Sequence, residues 1–300
     1  MKKPFFTIIF VLLLIQRKSI LVKGGAMKNR EITLVKKLYS ASPEREWNRL
    51  YQDAFHKLEF DGTMKFLKKH LPKKGLVLDA GVGPGRYTIE LAKMGYDAVL
   101  LDLVPENLRF AEKMIKKYKV EKRIKGILEG TITNLSLFEE NTFDSVICLG
   151  GPLSHVHTLD NREKAVKELK RVVKKGKKVI ISVMSKWGVL LATPMGWPGE
   201  VRFDSYVTKF AKTGDDYRFA GKSFCHFFTS EELIKLLKSQ HLKITDISSL
   251  EGLNIDNATT NIFEIKHKKA WKNWMKIHDS FFRESFAIDS GGHMIISGRK

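Results

Sequence analysis

A glycine-rich turn holds the residues of this chain that are best suited to chemistry. It reads VLDAGVGPGRY over positions 77–87, with Asp79 followed by Gly81, Gly83 and Gly85 at alternate positions. Glycine lets the backbone approach a ligand closely, because it has no side chain and reaches positive φ without strain. Such turns hold dinucleotides, phosphates and other ligands, so the glycines alone leave the ligand open.

Asp102 is the second candidate, since it ends the apolar stretch DAVLLD at 97–102. In a doubly wound sheet, ligands lie beyond the carboxyl ends of the central strands, so this carboxylate and the glycine turn share one edge. A carboxylate there can accept hydrogen bonds from both hydroxyls of a ribose. The dinucleotide pattern GxGxxG needs glycine where this chain has Arg86, which disfavours a nicotinamide dinucleotide. A turn without a ligand and a plain helix-terminal acid are the alternatives.

His155 is the candidate general base, in the loop LGGPLSHVH at 149–157. The loop follows the fourth predicted strand, at the edge where the ligand is expected. An imidazole titrates near neutral pH and can take a proton from a reacting group. A histidine that only hydrogen-bonds its own loop explains the residue equally well, and His157 is the weaker candidate.

Strands and helices alternate along the chain and must position these residues. A helical lead-in over 43–70 precedes them, and capping pairs at Asp160 with Glu163 and at Thr229 with Glu232 begin two later helices. The alternation predicts a doubly wound α/β domain, a parallel sheet covered by helices on both faces. The predicted strands lie at 76–80, 97–102, 124–129, 144–149, 178–184, 242–248 and 293–298.

Two segments depart from simple alternation. Residues 186–228 carry too many aromatic residues for a linker and predict an inserted cap over the ligand cleft. Residues 262–284 predict one long amphipathic helix before the last strand. Within it, KHKKAWKNWMK at 266–276 interleaves lysines with Trp271 and Trp274, a pairing that can bind nucleic acid or an anionic metabolite. A helix that packs its tryptophans inward is the alternative.

The chain is strongly basic, with a formal net charge of +20. Nucleic acid, an anionic substrate or a lysine-rich surface would each explain this charge. Three other lysine runs precede predicted strands, so they gather at the amino edge of the sheet, opposite the ligand, and are expected to be solvated surface. These runs are KKHLPKKG at 68–75, KKYKVEKRIK at 116–125 and KKGKK at 174–178.

Residues 1–26 need an interpretation of their own. The apolar run FFTIIFVLLLI at 5–15 follows two lysines as in a signal peptide, but it is shorter than the roughly 20 residues that span a bilayer. In KGGAM at 23–27, the codons for the two glycines can spell a ribosome-binding sequence just upstream of a start codon for Met27. We therefore expect residues 1–26 to be a misassigned upstream extension, or else a signal-like segment, and 27–300 to be a cytoplasmic domain without stable membrane insertion.

Four motifs, in this order, resemble the class I S-adenosylmethionine-dependent methyltransferases. They are LDAGVGPG at 78–85, LLD at 100–102, FDSVICLGG at 143–151 and LKRVVKKGKKVIISV at 169–183. The resemblance covers roughly 47–300 and is greatest to an archaeal-type member of the ubiquinone/menaquinone-type branch. It implies a seven-stranded, mostly parallel Rossmann-like sheet whose last strand is antiparallel, with S-adenosyl-L-methionine as the cofactor.

The resemblance also assigns residues to the cofactor. It implies that Asp79 and the backbone of Gly81 and Gly83 approach the methionine moiety. It further implies that Asp102 holds the ribose and that Leu103 flanks the adenine. The other cofactor-binding candidates are Gly85, Thr131, Ile132 and Leu149.

Thr131 departs from the family pattern, because many relatives have an aspartate after the third strand that contacts the adenine amino group. A hydroxyl replaces that carboxylate only in part. Methyl transfer needs little besides correct placement of the acceptor, since the sulfonium already activates the methyl group. No metal-ligand set is predicted, and Cys148 and Cys225 fit neither a disulfide framework nor a metal motif.

The predicted activity is S-adenosylmethionine-dependent methyl transfer to a small-molecule acceptor, anionic or aromatic. The acceptor is expected between the loop at 149–156 and the insertion at 186–228, beneath Trp187 and Trp197. The alternatives are a tRNA or rRNA methyltransferase and a protein that binds the cofactor without catalysis.

Overall fold

Nine strands run through the computed structural model, which describes residues 29–202, 204–219, 223–253 and 257–300. Seven of them form one sheet, and the other two form a separate antiparallel pair. The strands are β1 Leu76–Ala80, β2 Asp97–Asp102, β3 Ile124–Glu129, β4 Phe143–Cys148, β5 Val173–Met184, β6 Asp215–Phe219, β7 Ser223–His226, β8 Lys243–Ser249 and β9 His293–Arg299.

The order of the main sheet is β3-β2-β1-β4-β5-β9-β8. Strands β1 to β5 pair in parallel, and β9 lies antiparallel between β5 and β8. This confirms the predicted seven-stranded, mostly parallel α/β sheet with an antiparallel last strand. The strand order changes direction between β1 and β4, which opens the crevice where such sheets bind ligands.

Helices cover both faces of the sheet. Side chains of the central strands are fully buried between them, as Leu78, Leu100 and Ile147 illustrate. The helices are α1 Asn29–Ser40, α2 Pro43–Arg49, α3 Ala54–His70, α4 Arg86–Lys93, α5 Pro105–Tyr118, α6 Leu159–Val172, α7 Lys186–Gly196, α8 Pro198–Val201, α9 Asp204–Thr213, α10 Ser230–Ser239, α11 Asn257–Lys266, α12 Lys268–Phe281 and α13 Ser285–Ser290.

Side-chain caps begin α6 and α10. The Thr229 hydroxyl accepts a hydrogen bond from Glu232 N at the start of α10, as predicted. The predicted cap of α6 at Asp160 is wrong by two residues, because Thr158 is the capping residue and accepts from Asn161 N. Threonine and aspartate both suit this position, so the sequence pattern alone does not choose between them.

Three predicted segments are subdivided in the structure. The lead-in at 43–70 consists of α2 and α3, because the Asp53 side chain caps α3 and ends the preceding turn. The single helix predicted over 262–284 is instead the pair α11 and α12, which His267 separates. In its described residues, the insertion at 186–228 folds as α7 to α9 followed by the β6–β7 pair.

The chain is described from residue 29 onward, so the predicted extension at 1–26 lies outside the described residues. Helix α1 follows directly and was not among the predicted elements. Over the described ranges, none of the helices is long and apolar enough to cross a bilayer.

Candidate active site

A cavity opens at the carboxyl edge of β1, β2 and β4. Its volume is about 1070 Å³, part of it open to solvent. The glycine turn, the end of β2, the loop after β4 and helices α1 and α2 form its wall. Most of the residues predicted from the sequence meet here: Gly81, Gly83, Asp102, Leu103, Thr131, Ile132, Leu149 and His155.

The three glycines of the turn serve different purposes, although all have positive φ, at +86° for Gly81, +56° for Gly83 and +88° for Gly85. A Cβ on Gly81 would lie 2.4 Å from Pro152 Cγ, and one on Gly85 would lie 3.0 Å from Ala111 Cβ. A Cβ on Gly83 would meet no atom within 4 Å. Gly81 and Gly85 therefore allow close packing, whereas the backbone of Gly83 faces the open cavity.

Asp102 ties the glycine turn to the end of β2. Its carboxylate accepts from Gly83 N at 2.7 Å and from Val104 N at 2.8 Å, with Asn107 Nδ2 at 3.4 Å. Burial raises the pKa of this carboxyl, while these hydrogen bonds oppose the rise. The Oδ1 atom of Asn107 is buried without a hydrogen-bond partner at the same wall. A buried unpaired acceptor beside a cavity indicates a place for a ligand with hydrogen-bond donors.

Asp79 and Gly85 do not line the cavity, although both were predicted to bind the cofactor. Asp79 is buried behind the turn, where the Thr88 hydroxyl donates to its carboxylate at 2.6 Å. Burial raises the pKa of Asp79 to about 7. The carboxylate therefore braces the turn against α4 instead of reaching the cavity.

A mostly apolar wall lies beyond Asp102. Leu103, Ile132 and Leu149 line it, and Thr131 is the polar member between them. The Thr131 hydroxyl lies 3.0 Å from Thr133 Oγ1, so its hydrogen-bonding capacity is partly used. This wall suits a flat aromatic ring with one polar edge.

Arg86 stands where a dinucleotide site requires glycine. Its guanidinium lies over the Trp47 ring at 3.7 Å and over the Tyr51 ring at 4.5 Å, and it donates to Trp47 O. Such stacking is favourable for arginine. Arg86 thereby links Trp47, near the end of α2, to the start of α4.

Arg49 lines the cavity and was missed by the sequence analysis. Its guanidinium donates to both carboxylate oxygens of Glu59, at 2.5 and 3.0 Å, and to Glu46 at 3.2 Å. Burial opposes ionisation of Glu59, but the charges of Arg49 and His293 outweigh it and lower its pKa to about 2. The sequence does not reveal this ion pair, because Arg49 on α2 and Glu59 on α3 come together only in the folded chain.

His293 and Glu251 extend this network under the cavity. Both oxygens of Glu251 are 2.7 Å from His293, one from its backbone N and one from Nδ1. Glu59, Glu251 and His293 each place one potential metal-ligand atom within 4.8 Å of the others. Because Arg49 already neutralises Glu59, we treat the group as a closed ion-pair network.

His155 is held at both ring nitrogens. Its Nδ1 lies 3.0 Å from Phe224 O, and its Nε2 lies 2.7 Å from the Tyr39 hydroxyl. A carbonyl oxygen only accepts, so Nδ1 carries the hydrogen and Nε2 accepts from Tyr39. Burial lowers the pKa of His155, which keeps the imidazole neutral.

Helix α1 forms the roof of the cavity through Val35 and Tyr39. Besides the Tyr39–His155 hydrogen bond, Lys36 pairs with Glu129 at 2.6 Å. Glu31 similarly pairs with His157 at 2.9 Å. The apolar spacing of NREITLVKKLYS at 29–40 was the signal that would have predicted this helix.

The insertion at 186–228 was expected to cover the cavity, and that expectation is wrong for its two tryptophans. Trp187 and Trp197 do not line the cavity and are largely exposed. The insertion contributes instead through β7, whose Phe224 carbonyl orients His155. Residues of helix α1 line the cavity, whereas the two tryptophans do not.

Comparison with known proteins was made for the sequence and for the fold. Residues 78–181 match the family model described as a methyltransferase domain. The fold agrees with this match, so the segment is similar in sequence and in fold to methyltransferase domains. The fold matches a 1,6-didemethyltoxoflavin-N1-methyltransferase of Burkholderia thailandensis, a crystal structure with bound 1,6-didemethyltoxoflavin and S-adenosylhomocysteine, with a TM-score of 0.55, 15% identity and 92% of each chain covered.

Curated relatives match over shorter stretches. The chain is 30% identical over 114 residues to a glycine/sarcosine N-methyltransferase of Aphanothece halophytica, covering 37% of this chain and 40% of the relative. It is 23% identical over 176 residues to a ubiquinone biosynthesis O-methyltransferase of Xanthomonas oryzae pv. oryzae, covering 58% of this chain and 65% of the relative. The chain thus spans about half the length of these relatives. Because the two relatives are named for different acceptors, the matches do not assign the chain to the ubiquinone-type branch.

Proposed function

We propose that the whole chain transfers the methyl group of S-adenosyl-L-methionine to a small-molecule acceptor held beside Tyr39 and His155. One observation carries this proposal: a cavity at the carboxyl edge joins the glycine turn and Asp102 to a neutral, buried histidine under one roof. The cavity is lined mainly by apolar residues with a few polar groups, as small-molecule sites usually are.

The residues at the floor fit the cofactor. Asp102 and the unpaired Asn107 Oδ1 would accept from the ribose hydroxyls. The apolar wall around Thr131 would hold the adenine, and the bare backbone at Gly83 would approach the methionine moiety. When bound, the cofactor supplies an activated methyl group on a sulfonium sulfur.

The residues at the roof fit an acceptor that loses a proton. Tyr39 faces the cavity and donates to His155 Nε2, so a proton released by the acceptor would pass to the Tyr39 oxygen as the Tyr39 proton moves to His155. The Phe224 carbonyl fixes the tautomer in which Nε2 accepts the hydrogen bond from Tyr39. Helix α1 excludes water from the reacting groups, and placement supplies much of the rate.

A small, anionic or aromatic acceptor is favoured over RNA. The roof encloses the space next to His155, so a polynucleotide base would have to enter under α1. The two relatives named above are named for glycine or sarcosine and for ubiquinone biosynthesis, and the structural neighbour is named for 1,6-didemethyltoxoflavin. We also expect the enzyme to be cytoplasmic.

Two measurements test this function. Calorimetric titration is expected to show binding of S-adenosylhomocysteine in the micromolar range, roughly −8 kcal/mol, and none of NADH. Labelled cofactor incubated with cell extract is expected to yield a labelled small molecule whether or not ribonuclease is added. Label that disappears with ribonuclease would favour the RNA alternative. Cofactor binding without any labelled product would favour a non-catalytic protein.

A further inference from the structure

Large apolar side chains are exposed on two pairs of neighbouring helices, α7 with α13 and α11 with α12. Helices α7 and α13 approach closely, because a Cβ on Gly188 would lie 1.9 Å from Gly291 O. Helices α11 and α12 directly precede α13 along the chain. We call six of their side chains, each between 42% and 68% exposed, the apolar patch: Trp187, Leu191, Ile265, Ile277, Phe281 and Phe286.

Part of the patch lies at the same edge of the sheet as the cavity. Helix α7 begins directly after β5 ends at Met184, and α13 ends just before β9 begins at His293. Because β9 is antiparallel to β5, the end of β5 and the start of β9 are paired at the carboxyl edge. Trp187 and Phe286 therefore stand on helices joined to the edge that carries the cavity.

Helices α11 and α12 pack against each other, and α11 also packs against α3. The Phe263 ring contacts Trp271 and Trp274, with ring centroids 5.9 and 6.4 Å apart. Among the residues of α12, only His278 is buried. Trp271 and Trp274 therefore pack against α11, while Ile265, Ile277 and Phe281 remain exposed on the two helices.

Lysines accompany this exposed surface. Residues 266–276 contain five lysines and no acidic residue. Lys268, Lys269 and Lys272 are exposed. On α7, the Lys186 ammonium lies 4.7 Å above the Trp187 ring. Aromatic and aliphatic side chains interleaved with lysines characterise helices that lie in the headgroup region of a membrane.

We propose that the apolar patch and the lysines of 266–276 bind the surface of an anionic phospholipid bilayer. The lysines complement the phosphate charge, and the apolar side chains enter the boundary of the acyl chains. The helices lie in the interface and do not cross it, in keeping with their length and composition. Attachment would bring the carboxyl edge, with its cavity, towards the lipid.

Two other occupants fit less well. RNA would leave Leu191, Ile265 and Ile277 without a favourable contact, because aliphatic side chains offer no ring on which bases stack. A second copy of this chain would bring one lysine cluster against another, which is unfavourable for association. An anionic lipid surface satisfies the lysines and the aliphatic side chains together.

Vesicle sedimentation with the full-length protein tests the proposal. The protein is expected to bind vesicles of equal parts phosphatidylglycerol and phosphatidylcholine, and to remain in solution with phosphatidylcholine alone. The triple variant Lys268→Gln, Lys269→Gln and Lys272→Gln should lower the partition coefficient about a hundredfold. The double variant Ile277→Ser and Phe281→Ser should lower it at least about tenfold, because apolar burial is lost.

A matched variant controls for loss of charge alone. Lys113, Lys117 and Lys122, on and after α5, are also exposed. Their triple change to glutamine should leave vesicle binding within about twofold of the original protein, since they lie outside the proposed surface. Thermal unfolding midpoints within a few degrees of the original would show that each variant is folded.

Several outcomes would overturn the proposal. Binding that survives the Lys268, Lys269 and Lys272 substitutions would place attachment elsewhere on the chain. Equal loss in the control variant would reduce the effect to net charge. Binding of total tRNA through these lysines without vesicle binding would favour RNA. A concentration-dependent dimer that Phe281→Ser abolishes would assign the patch to a second copy.

Discussion

The floor of the cavity, formed by the glycine turn and Asp102, and its roof, formed by helix α1, are held in place in different ways. In the floor, Gly81 N and Val82 N both donate to Leu101 O, and Asp102 fixes the turn from the side. In the roof, the described side chains of α1 are only partly buried or exposed, and ion pairs and one hydrogen bond fasten them. The floor is therefore formed by the fold itself, whereas the roof depends on side chains that can be removed singly.

The largest expected effect concerns the hydrogen bond between Tyr39 of the roof and His155. His155→Ala should lower kcat by about 10²- to 10⁴-fold while leaving S-adenosylhomocysteine affinity nearly unchanged, since His155 would take the proton through Tyr39 and has no proposed contact with the cofactor. Product formation on the acceptor found in extract, with calorimetry beside it, measures both. His267→Ala, at an exposed histidine between α11 and α12, is the control. Unchanged turnover would mean that placement alone drives the reaction, and lost cofactor binding would make His155 structural.

The glycine turn provides the next effect, on stability. Gly81→Ala forces a Cβ against Pro152 at a φ of +86°, and should reduce the free energy of unfolding by about 3 kcal/mol. Gly83→Ala has open space at a φ of +56° and should cost about 1 kcal/mol. Urea unfolding of both variants measures the difference. Equal losses would contradict the distinct roles assigned to the two glycines.

Asp102 tests the floor as a binding surface. Asp102→Ala should weaken S-adenosylhomocysteine binding by about 1 to 3 kcal/mol, because the ribose hydroxyls lose their acceptor. Asp97→Ala, at the other end of β2, serves as the control. Calorimetry gives both affinities, and an unchanged Kd for the Asp102 variant would remove this residue from the proposed site.

A pH effect is expected from the element that orients His155. His226 is the last residue of β7. Its Nδ1 lies 2.7 Å from Asp215 Oδ1, and its Nε2 lies 2.8 Å from Glu232 Oε1. Burial opposes protonation, but these two acids outweigh it and raise the pKa of His226. Its stabilising effect is therefore complete below the unfolded pKa, about 6.5, and is lost as pH rises through the folded value.

His226→Gln should accordingly flatten the fall in unfolding free energy between neutral and alkaline pH, because the raised pKa that causes the fall is removed. Urea titrations at a series of pH values follow this change. The opposite slope, with the original protein gaining stability as pH rises through this range, would show that His226 is neutral in the fold.

The smallest effect isolates the roof. Lys36→Ala removes an ion pair between partly exposed groups, so global stability should change by less than about 1 kcal/mol. Cleavage within α1 by a protease of broad specificity should nevertheless accelerate a few-fold, because local opening is easier. Lys37→Ala is the neighbouring control, and equal cleavage of the two variants would show that the Lys36–Glu129 pair does not hold the roof.

The sequence predicted the floor better than the roof for a physical reason. The glycine turn and Asp102 are read from contiguous residues, whose strand and helix patterns are local. Arg49 with Glu59, and Tyr39 with His155, meet only after the chain has folded, and nothing near either residue signals its partner. Apolar periodicity would have given α1, but not its position over the cavity.

The pairing of β9 has a consequence for how the chain is made. Because β9 lies between β5 and β8, the main sheet has a gap until residues 293–299 have been synthesised and released from the ribosome. Until then β5 and β8 each expose an unpaired edge, and such edges attract other chains. A nascent chain that stalls before this point would therefore be a substrate for chaperones, even though strands β1 to β5 have already been synthesised.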